Sequence, residues 1–340
     1  MTQTFYLDKE IKVYLENDAG DYYRIEVTAA PEFSQAASSE SVSVNTMPQT
    51  RAGDTANPYS SVSSKIFKTE FEPASWSFTT HIRPFNNGGN KQAAESILWE
   101  FFTGSTETVS ADTDNYFSLK ETYPTFTLYF IYPDRKGYKI SGCVISRADI
   151  SVDINSTGTI SWSGSGIKLE DKDLFPSSPT IQNSSALTGA NYITNKLSTL
   201  TSTNSAAAFS FPITAMSVSM SVEHQPITSP ILAELTYPIG FSRKNIEVTG
   251  NFTAYVITET GGTKGASASL RTNNDPMFDI SLNIGGTTTY KNIVVVLPKV
   301  FIQPPSYSSS DALTFSCDFI ATGPSVLGGV TTSIAQIKYT

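Results

Sequence analysis

Apolar and polar residues alternate with period two along much of this chain, the pattern of strands that bury one face and wet the other. The clearest stretch runs from Cys143 to Leu169. There Val144, Ala148, Ile150, Val152 and Ile154 are apolar, while Arg147, Asp149, Ser151 and Asp153 are polar. Asn155 to Gly158 supply turn chemistry, and Ile160 and Trp162 resume the inward set, so the text predicts a hairpin with a continuous polar face. Similar text predicts a hairpin over the first 29 residues about a turn at Asp18 to Asp21, strands over Ile66–Phe71 and Ser75–Phe85, and a pair at Phe126–Tyr132 and Tyr138–Ile145. The second half reads as strands at Tyr192–Leu200, Phe209–Val222, Asn245–Val256, Phe278–Ile284, Tyr290–Phe301 and Ala312–Ala321. One helix is predicted, Lys91–Phe102: Ala94, Ile97, Leu98 and Phe101 form a single apolar stripe, and Gly104 stands where a C-terminal cap belongs. The fold class is therefore mainly β, α+β in detail.

Two segments interrupt the pattern. Phe33 to Ser64 is rich in Ser, Thr, Asn and Ala, and a connection of that length reads either as a functional arm or as a surface loop. Pro176 to Ala190 is rich in Ser, Pro and Asn and reads as a boundary, giving a first domain over 1–176, a linker over 177–190 and a second domain over 191–340. The halves also resemble each other. Ser77–Ile82 is similar to Asn251–Val256, Tyr138–Ile150 to Tyr290–Ile302, and Trp162-Ser163 to Phe315-Ser316, in the same order. In that alignment Lys299 answers Arg147, while Phe301 and Pro305 stand where Asp149 and Asp153 do.

Composition narrows the chemistry. The 340 residues carry a net charge of −8, with 23 acidic against 15 basic residues over 1–176 and 8 against 8 over 177–340. No basic concentration is available for neutralising nucleic-acid phosphates. Two cysteines, Cys143 and Cys317, make no disulfide framework and no metal motif, and no metal or cofactor is expected. Met1 to Val13 carries Asp8, Lys9, Glu10 and Lys12, so neither an export signal nor a membrane span is expected there, and synthesis in the cytoplasm is.

Catalytic constellations do not assemble from the text. His81 and His224 are the only histidines, and neither has acid or nucleophile spacing around it. Asp149 and Asp153 share a strand face at roughly 13 Å, longer than a glycosidase pair needs. Gly164-Ser165-Gly166 lacks the third glycine and following helix of a phosphate loop. A carbohydrate-binding or adhesin β-sandwich is the alternative to a structural role, but it would normally carry an export signal and exposed aromatic platforms.

Taken together, Ala74–Phe85, the helix ending Ile97-Leu98-Trp99, Asp149–Ile154 leading to Ile160–Gly164, Tyr192–Leu197, Pro238–Gly240 and Val248–Tyr255 resemble the major tail tube protein of long, flexible-tailed bacteriophages, in the subclass with a duplicated tube domain. The resemblance covers both halves. It implies two tandem β-sandwich domains per chain, each giving strands to a closed barrel between subunits, so that three chains form a ring and rings stack into a hollow tube that conducts DNA. It further implies the tape-measure protein and DNA in the lumen, initiator and terminator proteins at the tube ends, a place in the virion tail, and no enzymatic activity. Some relatives carry an added outer domain after the second tube domain; with the sequence ending at Thr340, a plainer outer surface is expected. On this reading Arg147, Asp149, Ser151, Asp153 and Lys299 face the lumen, and Ser39, Val42, Met47, Arg51 and Tyr59 on the arm make inter-ring or inter-subunit contacts.

Overall fold

A computed structural model describes residues 10–45, 62–109, 112–117, 123–203, 208–228, 237–257, 277–286, 291–309, 312–323 and 333–340. Strands dominate. The first part of the chain gives β1 (Lys12–Glu16), β2 (Tyr22–Ile25), β3 (Glu32–Ser34), β4 (Ala37–Asn45), β5 (Val62–Phe71), β6 (Ala74–His81), β7 (Pro84–Asn87) and β8 (Asn90–Ala93). Helix α1 (Ser96–Thr103) follows, then β9 (Thr106–Val109), β10 (Asp112–Tyr116), β11 (Phe126–Ile131), β12 (Gly137–Asp153), β13 (Thr159–Gly166) and β14 (Lys168–Lys172). After the short helix α2 (Ser184–Gly189) come β15 (Thr199–Thr203), β16 (Ala208–Phe211), β17 (Ile213–Ile227) and β18 (Gly240–Tyr255). The chain closes with β19 (Met277–Ile284), β20 (Ile293–Ile302), β21 (Ser306–Ser309), β22 (Leu313–Ala321) and β23 (Gln336–Tyr339).

The strand pairings of the two halves follow one order. In the first, β1 lies between β2 and β11, β11 pairs with β12, and the start of β12 also pairs with β14. In the second, β15 lies between β16 and β19, β19 pairs with β20, and the start of β20 also pairs with β23. A second lane set repeats likewise: β3–β6–β13–β12 on one side, β17–β18–β22–β20 on the other. Pairing aligns Trp162, opposite Phe78, with Cys317, opposite Phe252; sequence likeness had chosen Phe315, two residues earlier. A slip of two keeps every side chain on its own face, which is why the likeness survives it.

Among the described residues the strand ladders are all antiparallel, with one isolated parallel bridge at Tyr22 and Ile181. β12 carries the longer of the two ladders that join the halves, the other being β10–β23. Its first part belongs to the β11–β14 sheet; its second part, Arg147–Asp153, pairs with β13 on one edge and with Ala215–Ser221 of β17 on the other. The change of neighbours occurs at Gly142, whose φ of 58° suits a residue without Cβ. What the sequence showed as two strands, Tyr138–Ile145 and the first arm of the Cys143 hairpin, is thus one strand of 17 residues with a kink.

Several boundaries differ from the sequence expectation. The helix begins at Ser96 rather than Lys91, because Gly88 and Gly89, at φ 61° and 101°, close a hairpin that draws Asn90–Ala93 into β8. Its C-terminus is as expected, with Gly104 left-handed at φ 78° and its N–H on Glu100 O. Tyr192–Leu200 is mostly an irregular segment with a single 3-10 turn, and its strand starts only at Thr199. The arm is no loose loop at its root, since β4 and β5 form a two-stranded hairpin. Within the expected linker, Ala186 of α2 is buried against Phe85 and Ala94.

The α1 helix is buried almost all round, and its end of the core is closed by the last strand. Trp99, Trp162 and Phe102 pack edge to face, and β23 pairs with both β10 and β20. Trp99 Nε1 donates to Tyr339 Oη (2.9 Å), and that hydroxyl donates to Glu95 Oε1 (3.0 Å). Glu95 is 3% exposed, and its other carboxyl oxygen has no partner. Burial pushes its pKa up from 4.5 to about 7, with Tyr339 and Arg83 opposing the rise. A carboxyl with a raised folded pKa favours folding when protonated, so this contribution is complete below the unfolded value near 4.5 and is lost as pH rises to about 7. The shift corresponds to about 3 kcal/mol. The melting temperature of the native chain is accordingly expected to fall between pH 4.5 and 7, and Glu95→Gln is expected to flatten that segment and to melt higher than the native chain at pH 8. Parallel pH slopes for the two proteins would refute the assignment.

Candidate functional site

The strands β3, β6, β13, β12, β17, β18, β22 and β20 make one continuous surface whose inner residues belong to the main core. Ala148, Ile150, Val152, Ile160, Trp162, Val218, Met220 and Phe252 are all buried beneath it. The outer residues fall in rows across the strands. Ser77, Ser163, Arg147, Ser221 and Glu247 form one; Thr79, Ser161, Asp149, Ser219 and Thr249 the next; Thr159, Ser151, Ser217, Asn251 and Asp318 a third. Hydroxyl pairs tie neighbouring strands: Thr79 with Ser161 at 3.0 Å, Thr253 with Ser316 at 2.9 Å, Ser34 with Ser75 at 2.9 Å.

Arg147, Asp149, Ser151 and Asp153 stand together on this polar face, while the alternate residues of β12 point into the core. Arg147 Nε lies 2.8 Å from the Asp149 carboxylate, so that cation is largely spoken for within its own strand. Asp153 Oδ1 accepts the N–H of Asn155 at 2.9 Å and shapes the turn into β13. Lys299 is exposed just before the buried Val300, as Arg147 is just before Ala148, and its carbonyl accepts the N–H of Thr322. It is carried by the same sheet but four strand steps from β12, roughly 19 Å at about 4.8 Å per step. Charged residues of the face are Glu32, Asp149, Asp153, Glu223, Glu247 and Asp318 against Arg147, Lys244 and Lys299, an acidic balance set in a field of serine and threonine.

The arm residues are held apart from this face. Ser39, exposed, and Val42 sit on β4, opposite Lys68 and Lys65 of β5, in a sheet of two strands. Met47, Arg51 and Tyr59 lie outside the described residues. At the arm root, Phe71 stacks on Tyr237 beyond the β17–β18 hairpin (4.5 Å, 3° between planes), and Lys168 Nζ lies 5.0 Å from the same Tyr237 ring. Sequence reasoning identified the β12–β13 part of the polar face and missed the lanes beside it. The signal was present in Ser217-Val218-Ser219-Met220-Ser221-Val222, as regular an alternation as that of β12, but nothing in one dimension says that β17 lies beside β12.

Chemistry of other kinds finds little footing. His81 Nδ1 faces Thr157 Oγ1 at 3.3 Å, and His224 Nδ1 faces Ser146 Oγ at 3.4 Å. Burial, and then the nearby Arg243, pull the His224 pKa down to about 4, which keeps it neutral at physiological pH. Burial pushes both cysteine thiols up, so neither is a ready nucleophile. Among the described residues no three His, Cys, Asp or Glu side chains are grouped to hold a metal, and no helix is long and apolar enough to cross a membrane.

The site is thus an extended polar sheet face beside a separate two-stranded hairpin. No protein-family model matches the chain. It is similar to the tail tube protein pb6 of Escherichia phage T5, with 26% identity over 291 residues, which covers 78% of this chain and 62% of that protein. The resemblance to phage tail tube proteins read from the sequence is thus matched across most of the chain, which spans somewhat under two thirds of the relative's length.

The two faces of β12 differ sharply in what they tolerate. Ile150→Asp places an unpaired charge in the core and is expected to abolish soluble folded protein or to cost several kcal/mol. Ser151→Asp, one residue on, is expected to change stability by no more than about 0.5 kcal/mol. Thermal melts followed by circular dichroism decide between this and an inverted face.

Proposed function

We propose that this chain is the repeating subunit of a phage tail tube: three copies form a ring, rings stack, and the resulting hollow tube conducts DNA. The similarity to a tail tube protein carries the reading. The two halves with equivalent pairing order support it, because two tube domains in tandem, over 1–176 and 191–340 with 177–190 between them, let three chains supply what six single domains would. Its partners are then further copies of itself, a tape-measure protein and DNA inside, and initiator and terminator proteins at the ends. Its place is the virion tail, after synthesis and assembly in the host cytoplasm.

Within that tube the serine-rich acidic face is assigned to the lumen. A conduit for a polyanion must not retain it, and a face with more carboxylates than cations repels phosphate, whereas clustered Lys and Arg would bind it. Hydroxyls keep the wall wetted without adding charge. The arm of β4 and β5 is assigned to contact between rings; Ile66, 70% exposed on β5, is an apolar side chain suited to burial there.

Native mass measurement of the purified chain is expected to give trimers or their multiples, and electron microscopy hollow tubes; a lasting monomer would overturn the reading. Ser151→Cys, biotinylated before assembly, is expected to leave tubes that streptavidin labels only at their ends, since the probe cannot enter the wall. Labelling along the whole length would put the acidic face outside. Replacing residues 38–70 by a short turn is expected to yield rings that no longer stack, and full tubes from that variant would remove the arm from the ring-to-ring contact.

A further inference from the structure

Asn-Gly occurs once in this chain, at Asn87-Gly88, and the fold places it at the tip of the β7–β8 hairpin. Gly88 and Gly89 are the turn residues, at φ 61° and 101°, and every residue from Asn86 to Asn90 is exposed. The pairing Asn87↔Asn90 is the last of its ladder, so the backbone of Asn87 can turn at the loss of a single pair. The Gly88 N–H donates to nothing among the described residues, whereas the next one, that of Gly89, is taken by Asn86 Oδ1 at 2.7 Å. Nothing lies within 4 Å of the place where a Cβ on Gly88 would stand. Asn87 has one side-chain bond, from Nδ2 to Gln92 Oε1 (2.9 Å), and that bond is itself exposed. A backbone nitrogen one residue beyond a carboxamide is thus unengaged, unobstructed and open to water.

We propose that Asn87 is a site of spontaneous deamidation in the folded chain. The Gly88 nitrogen gives up its proton to hydroxide and bonds to Asn87 Cγ. The Cγ–Nδ2 bond breaks, and the nitrogen leaves as ammonia after taking a proton from water. The resulting five-membered succinimide takes up one water. Attack at the side-chain carbonyl returns an ordinary peptide with aspartate; attack at the backbone carbonyl leaves the chain running through Cβ, as isoaspartate. Water is consumed and ammonia released, with no change of oxidation state, and the chemistry does not depend on how the chain assembles.

Other asparagines are better protected. Asn183 Oδ1 accepts the Arg24 N–H (3.0 Å) while its Nδ2 donates to Arg24 O (2.9 Å), so that carboxamide is held at both ends. Asn155 is followed by a serine, which brings a Cβ, and the Ser156 N–H is engaged by Asp153 O at 3.1 Å. At Asn87 either product adds a carboxylate to the hollow of about 270 Å³ that it lines with Gln92 and Glu100, and isoaspartate lengthens the backbone within a two-residue turn. That turn draws Asn90–Ala93 into β8 and leaves α1 to start at Ser96, so ageing of the chain acts first at the root of the helix.

The test is a timed incubation of the folded full-length chain at mildly alkaline pH, followed by peptide mapping with mass spectrometry and by labelling with a protein isoaspartate methyltransferase. Expected is a gain of about 1 Da, NH exchanged for O, in the peptide that holds Asn87. It should accumulate about tenfold or more faster there than at Asn155 or Asn183, and the same peptide should take the isoaspartate label. Glutamine would have to close a six-membered ring, so Asn87→Gln is expected to slow the gain at this position about tenfold or more while the circular dichroism stays that of the native chain. An Asn87 that changes no faster than Asn155 and Asn183 in the folded chain, or only once the chain is unfolded in denaturant, overturns the proposal, as does an undiminished gain in Asn87→Gln.

Discussion

Seven residues of β12 pair in register with seven of β17, and removal of that ladder would leave a long strand with an apolar inner face and an unpaired edge in each half. Such edges recruit other chains indiscriminately. By pairing them with each other, the chain becomes one body with one core, in which Ile150 and Val218, Ala148 and Met220, Val152 and Met216 meet across the seam. The same ladder fixes which way both halves face. Because strand side chains alternate strictly, the serines of β17 must share a side with Asp149 and Ser151 once the register is set.

A second tie between the halves combines a strand ladder with contacts in the core. β23, at the end of the sequence given, pairs with β10 and brings Tyr339 to the Trp99 indole and the Glu95 carboxyl of the first half. The arrangement buries an acid with one oxygen unpartnered, a costly position that a neutral side chain would avoid. It makes the helix segment between β8 and β9 dependent on a strand more than two hundred residues away.

The polar face owes its acidic balance to composition rather than to a special site. Serine and threonine fill most rows, the Arg147 charge is engaged by Asp149, and carboxylates outnumber cations. Burial holds His224 in its neutral form and the Cys143 thiol in its protonated form.

Much of this was legible one residue at a time. Alternation gave the strands, their inward sets and the polar side of β12, since period two is a local consequence of the pleat. Gly104 marked the helix end because a left-handed cap needs a residue without Cβ. The helix start was not legible: the Gly88-Gly89 turn pulls Lys91 into a hairpin, and pairing energy decides against a helix register that would also have satisfied the stripe. Tyr192–Leu200 failed for the converse reason, having strand-like composition but little strand partner until Thr199. Neither the seam between β12 and β17 nor the union of the five other lanes with the β12–β13 hairpin could be read from the text, because hydrogen bonding between strands distant in sequence leaves no periodic trace within either one. The sequence by itself determined which residues face water and which face the core; only the tertiary structure decided which polar faces lie side by side, because that depends on the pairing of edges and not on the alternation along them.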